Sequence, residues 1–245
     1  MTDFERQWQG RFERFATRHQ PDHLVSGWSM AGLRRRVAVF EGLLDAGLLG
    51  VGGRVLELGC GAGTYVRLLA KRGHSVIGLD YSLPSLRRAE AADPLQAGRY
   101  VAGNASRLPF QDRSFKAITC IGVFQALEGP ETAVSEIARV LEPAGVVVLE
   151  TLNPWNLMAV SRRLSAFLRR RPTKLRYISP RAVEQSMASQ GLRPVRRHRI
   201  LLPPRSLPRL ERALGQTWLR RALEAVPGIG ALASQAYWIV GVKKA

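Results

Sequence analysis

The chain has 245 residues, 46% of them hydrophobic, and carries 37 Lys and Arg against 19 Asp and Glu, a formal net charge of +18. That length can bury one sizeable core, while two cysteines, Cys60 and Cys120, are too few for a disulfide framework and lack metal-ligand spacing. The charged opening MTDFERQWQG has no apolar core of the secretory kind, so a reduced, cytoplasmic setting without a bound metal is expected.

Residues 1–50 read as an N-terminal helical segment, ended by Gly50, Gly52 and Gly53, that caps a domain over 51–245. In that domain a short apolar run, a turn and a helical period follow one another repeatedly. The runs are RVLEL (54–58), SVIGLD (75–80), RYVAG (99–103), KAITCI (116–121) and GVVVLET (145–151). Helical periods fall at 64–72, 83–91 and 131–141, the last with Val134, Ile137, Ala138 and Leu141 at helical spacing. Runs so uniformly apolar are buried on both faces, as in a parallel sheet flanked by helices. The spacing predicts an α/β fold with a doubly wound, seven-stranded, mostly parallel sheet, helices on both faces and the N-terminal helices as a cap.

Beyond Thr151 the order changes. A first basic insertion, about 154–176, contains an amphipathic helix over 156–171 with Leu157, Val160, Leu164 and Phe167 on one face and Arg162, Arg163 and Arg169 to Arg171 elsewhere. Ser179-Pro180 opens a helix over 181–190 that Gly191 closes. Strands are expected at 194–202 and 236–242, separated by a second basic amphipathic helix, 207–226, in an insertion at about 204–226. The uncharged run Ala225 to Val242 contains Pro227, Gly228, Gly230, Ser234, Gln235 and Gly241, which favours a turn and a buried strand over a membrane span.

The glycine loop LELGCGAGTY, Leu56 to Tyr65, follows the first strand directly. In an open parallel sheet, ligands sit beyond the carboxyl ends of the strands where strand order reverses, and this loop is the usual cradle. A dinucleotide fingerprint starting at Gly59 and Gly61 would need a third glycine at position 64, which is Thr64; the spacing is instead E-x-G-x-G-x-G from Glu57. No phosphate-binding G-x-x-x-x-G-K-[ST] is present. Asp80 ends the second strand, where an acid can accept both hydroxyls of a ribose or, more simply, cap the helix that follows. Ser82 is an alternative cap.

VLELGCGAGTY, VIGLDYS, GNASRLPFQDRSFKAITC and ARVLEPAGVVVLET, in that order, resemble the successive motifs of class I S-adenosylmethionine-dependent methyltransferases over about residues 54–151. The resemblance implies S-adenosyl-L-methionine as cofactor. Glu57 and the loop Gly59, Cys60, Gly61 and Gly63 would border its amino-acid part. Asp80 would bind its ribose, and Tyr81 would flank the adenine. Asn104, where the family commonly has Asp, and Ala105 would meet the adenine edge, and Cys120 and Ile121 would lie near the methionine moiety. Both cysteines also read as small, inert packing residues. Where many relatives carry a histidine pair after the fourth strand, this chain has Gln125 and Ala126, so Gln125 together with His19 and His23 of the N-terminal segment are the candidate catalytic residues.

ETLNPWNL, YISPRAVEQSMASQGL and YWIVGVKK loosely resemble the C-terminal parts of quinone-biosynthesis O-methyltransferases. A small-molecule acceptor, lipid-like or of quinone or polyketide type and methylated on oxygen or carbon, is the leading expectation. The charge bears on the alternatives. Residues 1–150 hold 18 basic against 16 acidic side chains and residues 151–245 hold 19 against 3, net charges of +2 and +16. A C-terminal half of that sign attracts polyanions. Peripheral contact with an anionic membrane, a tRNA or rRNA methyltransferase that tracks phosphates, and a non-catalytic cofactor-binding adaptor are the alternatives. Nucleic acid is the less favoured partner, because no nucleic-acid motif accompanies the charge.

Overall fold

The structure is a computed structural model, and it describes residues 2–18, 21–50, 52–170, 175–201, 226 and 228–245. Helix α1 (Asp3–Thr17) begins with a capping box: the Thr2 hydroxyl accepts the Glu5 N–H while the Glu5 carboxylate accepts the Thr2 N–H. The short α2 (Asp22–Val25) and α3 (Met30–Asp45), capped by Ser29, complete the N-terminal helical segment. The chain then alternates β1 (Arg54–Leu58), α4 (Thr64–Lys71), β2 (Ser75–Asp80), α5 (Leu83–Ala91), β3 (Gly98–Ala102) and β4 (Phe115–Cys120). A 3-10 turn (Phe124–Ala126), α6 (Pro130–Val140) and β5 (Leu141–Leu152) follow. The C-terminal part contributes α7 (Leu157–Leu168), α8 (Pro180–Ser189), β6 (Leu192–Leu201), α9 (Ile229–Ala233) and β7 (Ser234–Lys243).

The sheet order is β3-β2-β1-β4-β5-β7-β6. β1 to β5 are parallel, and β7 runs antiparallel between β5 and β6. The expected seven-stranded, mostly parallel sheet is therefore present, and its order reverses between β1 and β4. Alternate residues of each strand supply two cores, one per face. Leu56 and Leu58 pack with Val134 and Ile137 of α6 and Met187 of α8. Val55 packs with Phe40 of α3 and Tyr65 and Leu69 of α4 on the other face.

β5 starts at Leu141, earlier than the apolar run at 145 suggests. Its register with β4 slips between the pairs Phe115–Leu141 and Ala117–Val146, and Ala144 takes a positive φ of 59°. The bulge carries GluProAlaGly through a stretch that reads locally as a loop. The second basic helix expected at 207–226 falls, apart from Val226, outside the described residues. Among the described residues no helix is long and apolar enough to cross a membrane, and the suspect C-terminal run enters strand β7.

Candidate functional site

At the reversal point the chain leaves β1 and turns sharply. The N–H groups of Gly59 and Cys60 both donate to the Leu79 carbonyl, at 2.7 and 3.0 Å, which ties the loop to the end of β2. Gly63, left-handed with φ 76°, is the N-cap residue of α4. The three glycines serve different ends. A Cβ at Gly59 would collide with Val123 Cγ2, and one at Gly63 would come within 2.9 Å of the Tyr100 hydroxyl and 3.1 Å of Ala89 Cβ. The chain's own packing excludes side chains from those two positions. At Gly61 the only atom of the described residues within 4 Å of such a Cβ is Ser26 Oγ at 3.7 Å, and Gly61 faces a cavity.

Asp80 closes the loop from the other side. Its Oδ2 accepts the Gly61 N–H at 2.9 Å and its Oδ1 the Ser82 N–H at 2.9 Å. Ser82, not Asp80, caps α5, because its hydroxyl accepts the Ser85 N–H at 3.3 Å. Burial raises the Asp80 carboxyl above its ordinary range, opposed by the backbone N–H groups of Ser82, Gly61 and Tyr81. A carboxylate offers about four lone-pair positions, more than these backbone groups use.

The strand ends and the N-terminal helices bound a cavity whose empty space, counted together with the open solvent at its mouth, is about 790 Å³. Gly59, Gly61, Asp80 and Tyr81 line it from the ends of β1 and β2. Asn104, Ala105 and Ile121 line it from the ends of β3 and β4. The Asn104 side-chain oxygen accepts the Ser106 N–H at 2.8 Å, which fixes the turn after β3. The Tyr81 hydroxyl is buried without a partner, and burial pushes its pKa up.

Six other expected residues do not line the cavity. Glu57 is fully buried, with Oε2 accepting from the Thr119 hydroxyl and Oε1 without a partner, and burial pushes its carboxyl well above the ordinary range. Cys60 turns its sulfur toward Gly78 of β2. Cys120 is buried in the core on the α6 face, and burial pushes both thiols up, so both are packing groups. Gly63 is occupied by its own packing, as above. Gln125 donates from Nε2 to the Gly122 carbonyl at 2.7 Å, a bond that holds its side chain to the turn, and its Oε1 is buried without a partner. His23 is half-buried on α2, and its carbonyl accepts the Trp28 N–H. His19 lies outside the described residues.

The N-terminal segment supplies cavity walls that the histidine-centred reading missed. Glu5 and Phe12 of α1 and Val25, Ser26 and Trp28 around α2 face the cavity. Phe12 meets Tyr81 edge to face at 6.4 Å. Glu5 is held at the mouth by the Thr2 N–H and, at 3.4 Å, the Glu128 N–H. Trp28 lies against Gly122 and under the Arg36 guanidinium, 4.5 Å from its ring centre. Arg36 is itself fully buried and donates from Nε to Glu150 Oε1 of β5 at 2.7 Å. The helical phase Gly32, Arg36, Phe40, Leu43 is the signal that singles this arginine out of ArgArgArg. The arrangement suits holding a polar, hydroxyl-bearing ligand at one end and an apolar one at the other, away from water.

The family described as a methyltransferase domain matches residues 56–149. A demethylmenaquinone methyltransferase of Beutenbergia cavernae is 34% identical over 148 residues, 60% of this chain and 59% of that protein. A biotin biosynthesis bifunctional protein of Cellvibrio japonicus is 37% identical over 135 residues, 55% of this chain and 26% of that protein. The chain thus spans less than two thirds of the length of these relatives. The fold is shared with the geranyl diphosphate C-methyltransferase of Streptomyces coelicolor A3(2), with a TM-score of 0.66 at 18% identity over 99% of both chains.

Proposed function

We propose, from the membership of this chain's central domain in the class I S-adenosylmethionine-dependent methyltransferases, that the protein methylates a small-molecule acceptor of lipid-like, quinone or polyketide type, on oxygen or carbon. The observation that carries the reading is the cavity at the sheet's reversal point, with a carboxylate at one end and an open glycine beside it. The residues fit the cofactor. The free lone pairs of Asp80 suit a pair of ribose hydroxyls, Gly61 leaves space for the amino-acid end, and Tyr81, Asn104 and Ala105 border the base. Glu57 and Cys60 act behind the loop, by holding its shape.

When bound, S-adenosylmethionine supplies a methyl group already activated by its sulfonium. The chain's part is to orient the acceptor and keep water out, which alone lowers a barrier substantially. Among the described residues no histidine faces the cavity, and Glu5 and Asp80 are its carboxylates. Such a site favours positioning over proton transfer. Val25, Trp28, Ile121, Val123, Ala126 and Leu127 give it an apolar wall, which suits a lipid-like acceptor better than a nucleobase. The names of similar proteins, a demethylmenaquinone methyltransferase and a geranyl diphosphate C-methyltransferase, point the same way.

The test is a mass-spectrometric search for products heavier by one methylene in extracts of cells with and without the protein, lipid and RNA fractions being analysed separately. A difference in the lipid or small-molecule fraction is expected. A methyl difference confined to RNA would overturn the reading.

A further inference from the structure

The large side chains of α7 point the wrong way for a helix that covers a sheet. At 3.6 residues per turn, Leu157, Val160, Leu164, Phe167 and Leu168 share one face, and all five are exposed, Phe167 to 79% and Leu168 to 71%. The opposite side carries Ala159, which is 2% exposed, and the half-buried Met158, Ser165 and Ala166. Apart from Met158 the protein takes small side chains and water takes the large ones, the reverse of an ordinary surface helix. Trp155, just before the helix, is also exposed. A contiguous apolar face of this kind on a soluble surface marks a place where something docks.

We propose that α7 seats the protein on an anionic membrane surface. The charge around the face selects that occupant. Arg162, Arg163, Arg169 and Arg170 are all exposed, and no Asp or Glu occurs between Glu150 and Glu184. Arg163 borders the stripe beside Phe167, Arg162 lies on the polar side, and Arg169 and Arg170 follow the last turn. An apolar stripe on a helix whose only charges are arginines is the composition of a helix lying in the headgroup region, where the stripe enters the acyl boundary and guanidinium groups reach lipid phosphates. Phosphate tracking along RNA would use the arginines and leave five large apolar side chains in water.

The root of the helix is firm. The Asn156 side-chain oxygen caps it by accepting the Met158 N–H at 2.9 Å, while Asn156 Nδ2 donates to the carbonyls of Leu232 and Ser234, both at 3.1 Å. Asn153 Nδ2 donates to the carbonyls of Ala231 and Ser234 at 2.6 and 2.8 Å. The exposed Leu232 extends the apolar surface at that root. α7 follows the carboxyl end of β5, parallel to β4 and β1, so it leaves the sheet from the edge that bears the cavity. α7 and the cavity thus lie at the same, carboxyl end of the parallel strands.

The experiment is co-sedimentation of the full chain with vesicles of phosphatidylcholine alone or containing phosphatidylglycerol. It needs neither cofactor nor acceptor, so its outcome is separate from that of methyl transfer. Sedimentation with the anionic vesicles only, weakened by added salt, is expected. L164Q/F167Q is expected to lower the partition about tenfold with an unchanged thermal melt, because both side chains are exposed, and R162Q/R163Q to lower it by a similar factor. Should the double variant fold poorly, Phe167→Gln alone carries the comparison. Three results overturn the proposal: no sedimentation with anionic vesicles at low salt; unchanged partition of the Leu164 and Phe167 variants; or light scattering that shows a concentration-dependent dimer lost in those variants, which would assign the face to a second copy of the chain.

Discussion

At Asp80, one carboxylate serves both the fold and the site. It accepts the Gly61 and Ser82 N–H groups and so holds the loop against β2, and it lines the cavity. Asp80→Ala is expected to weaken S-adenosylhomocysteine binding by about 100-fold, since hydrogen bonds to a charged acceptor are worth about 1.5–3 kcal/mol each; titration calorimetry measures it. The glycines separate by the same geometry. Gly59→Ala should unfold the loop against Val123, whereas Gly61→Ala, with open space but a left-handed φ of 51°, should cost only the backbone strain of about 1–2 kcal/mol and reduce cofactor affinity, as paired melting and binding curves will show. Glu57 offers a pH signature. Burial makes its folded form hold a proton more tightly than the unfolded chain does, so stability falls as pH rises from the ordinary value of 4.5. Glu57→Gln should flatten that slope in thermal melts taken across pH. The sequence shows Asp80 and Gly61 plainly, because strand ends and glycines are local features. That Gly59 and Gly63 clear room for Val123 and Tyr100 is not legible, since those partners come from distant strands and turns.

Among the elements, β1, β2 and β4 are readable from their apolar runs because a strand buried on both faces needs no context, while β3, expected to be buried likewise, is the edge strand, with Arg99 and Ala102 exposed. The bulged start of β5 is not, since its residues are polar, Pro and Gly, and only pairing with Phe115 makes them a strand. α3 holds the largest surprise. Arg36 is the last of three consecutive arginines, and its phase with Phe40 and Leu43 drives it into the core against Glu150. Glu150→Ala strands a buried guanidinium and is expected to cost about 3–5 kcal/mol, measured by denaturant unfolding. α7 shows the opposite limit. Its amphipathic period is plain in the sequence, but which face meets the protein depends on the asparagine contacts at its root.

On the scale of the molecule, a cavity roofed by α1 and floored by the sheet couples binding to stability. Ligand at a hundred times its dissociation constant adds about 2.7 kcal/mol, which for a chain of this size raises the melting temperature by about 5–10 °C. Scanning calorimetry with S-adenosylhomocysteine should show that rise in the native protein and not in Asp80→Ala. The charge, +2 before residue 151 and +16 after it, makes the molecule an electrical dipole whose positive half carries α7. Long-range attraction orients approach before contact.

Glu5 and Phe12 complete the chamber, and the clasp from Glu5 to the Glu128 backbone is a single weak bond of 3.4 Å. Residues at the very start of the chain thus form part of the wall of a chamber built mainly by the ends of β1 to β4, so removing α1 should enlarge the opening and expose Tyr81 to water.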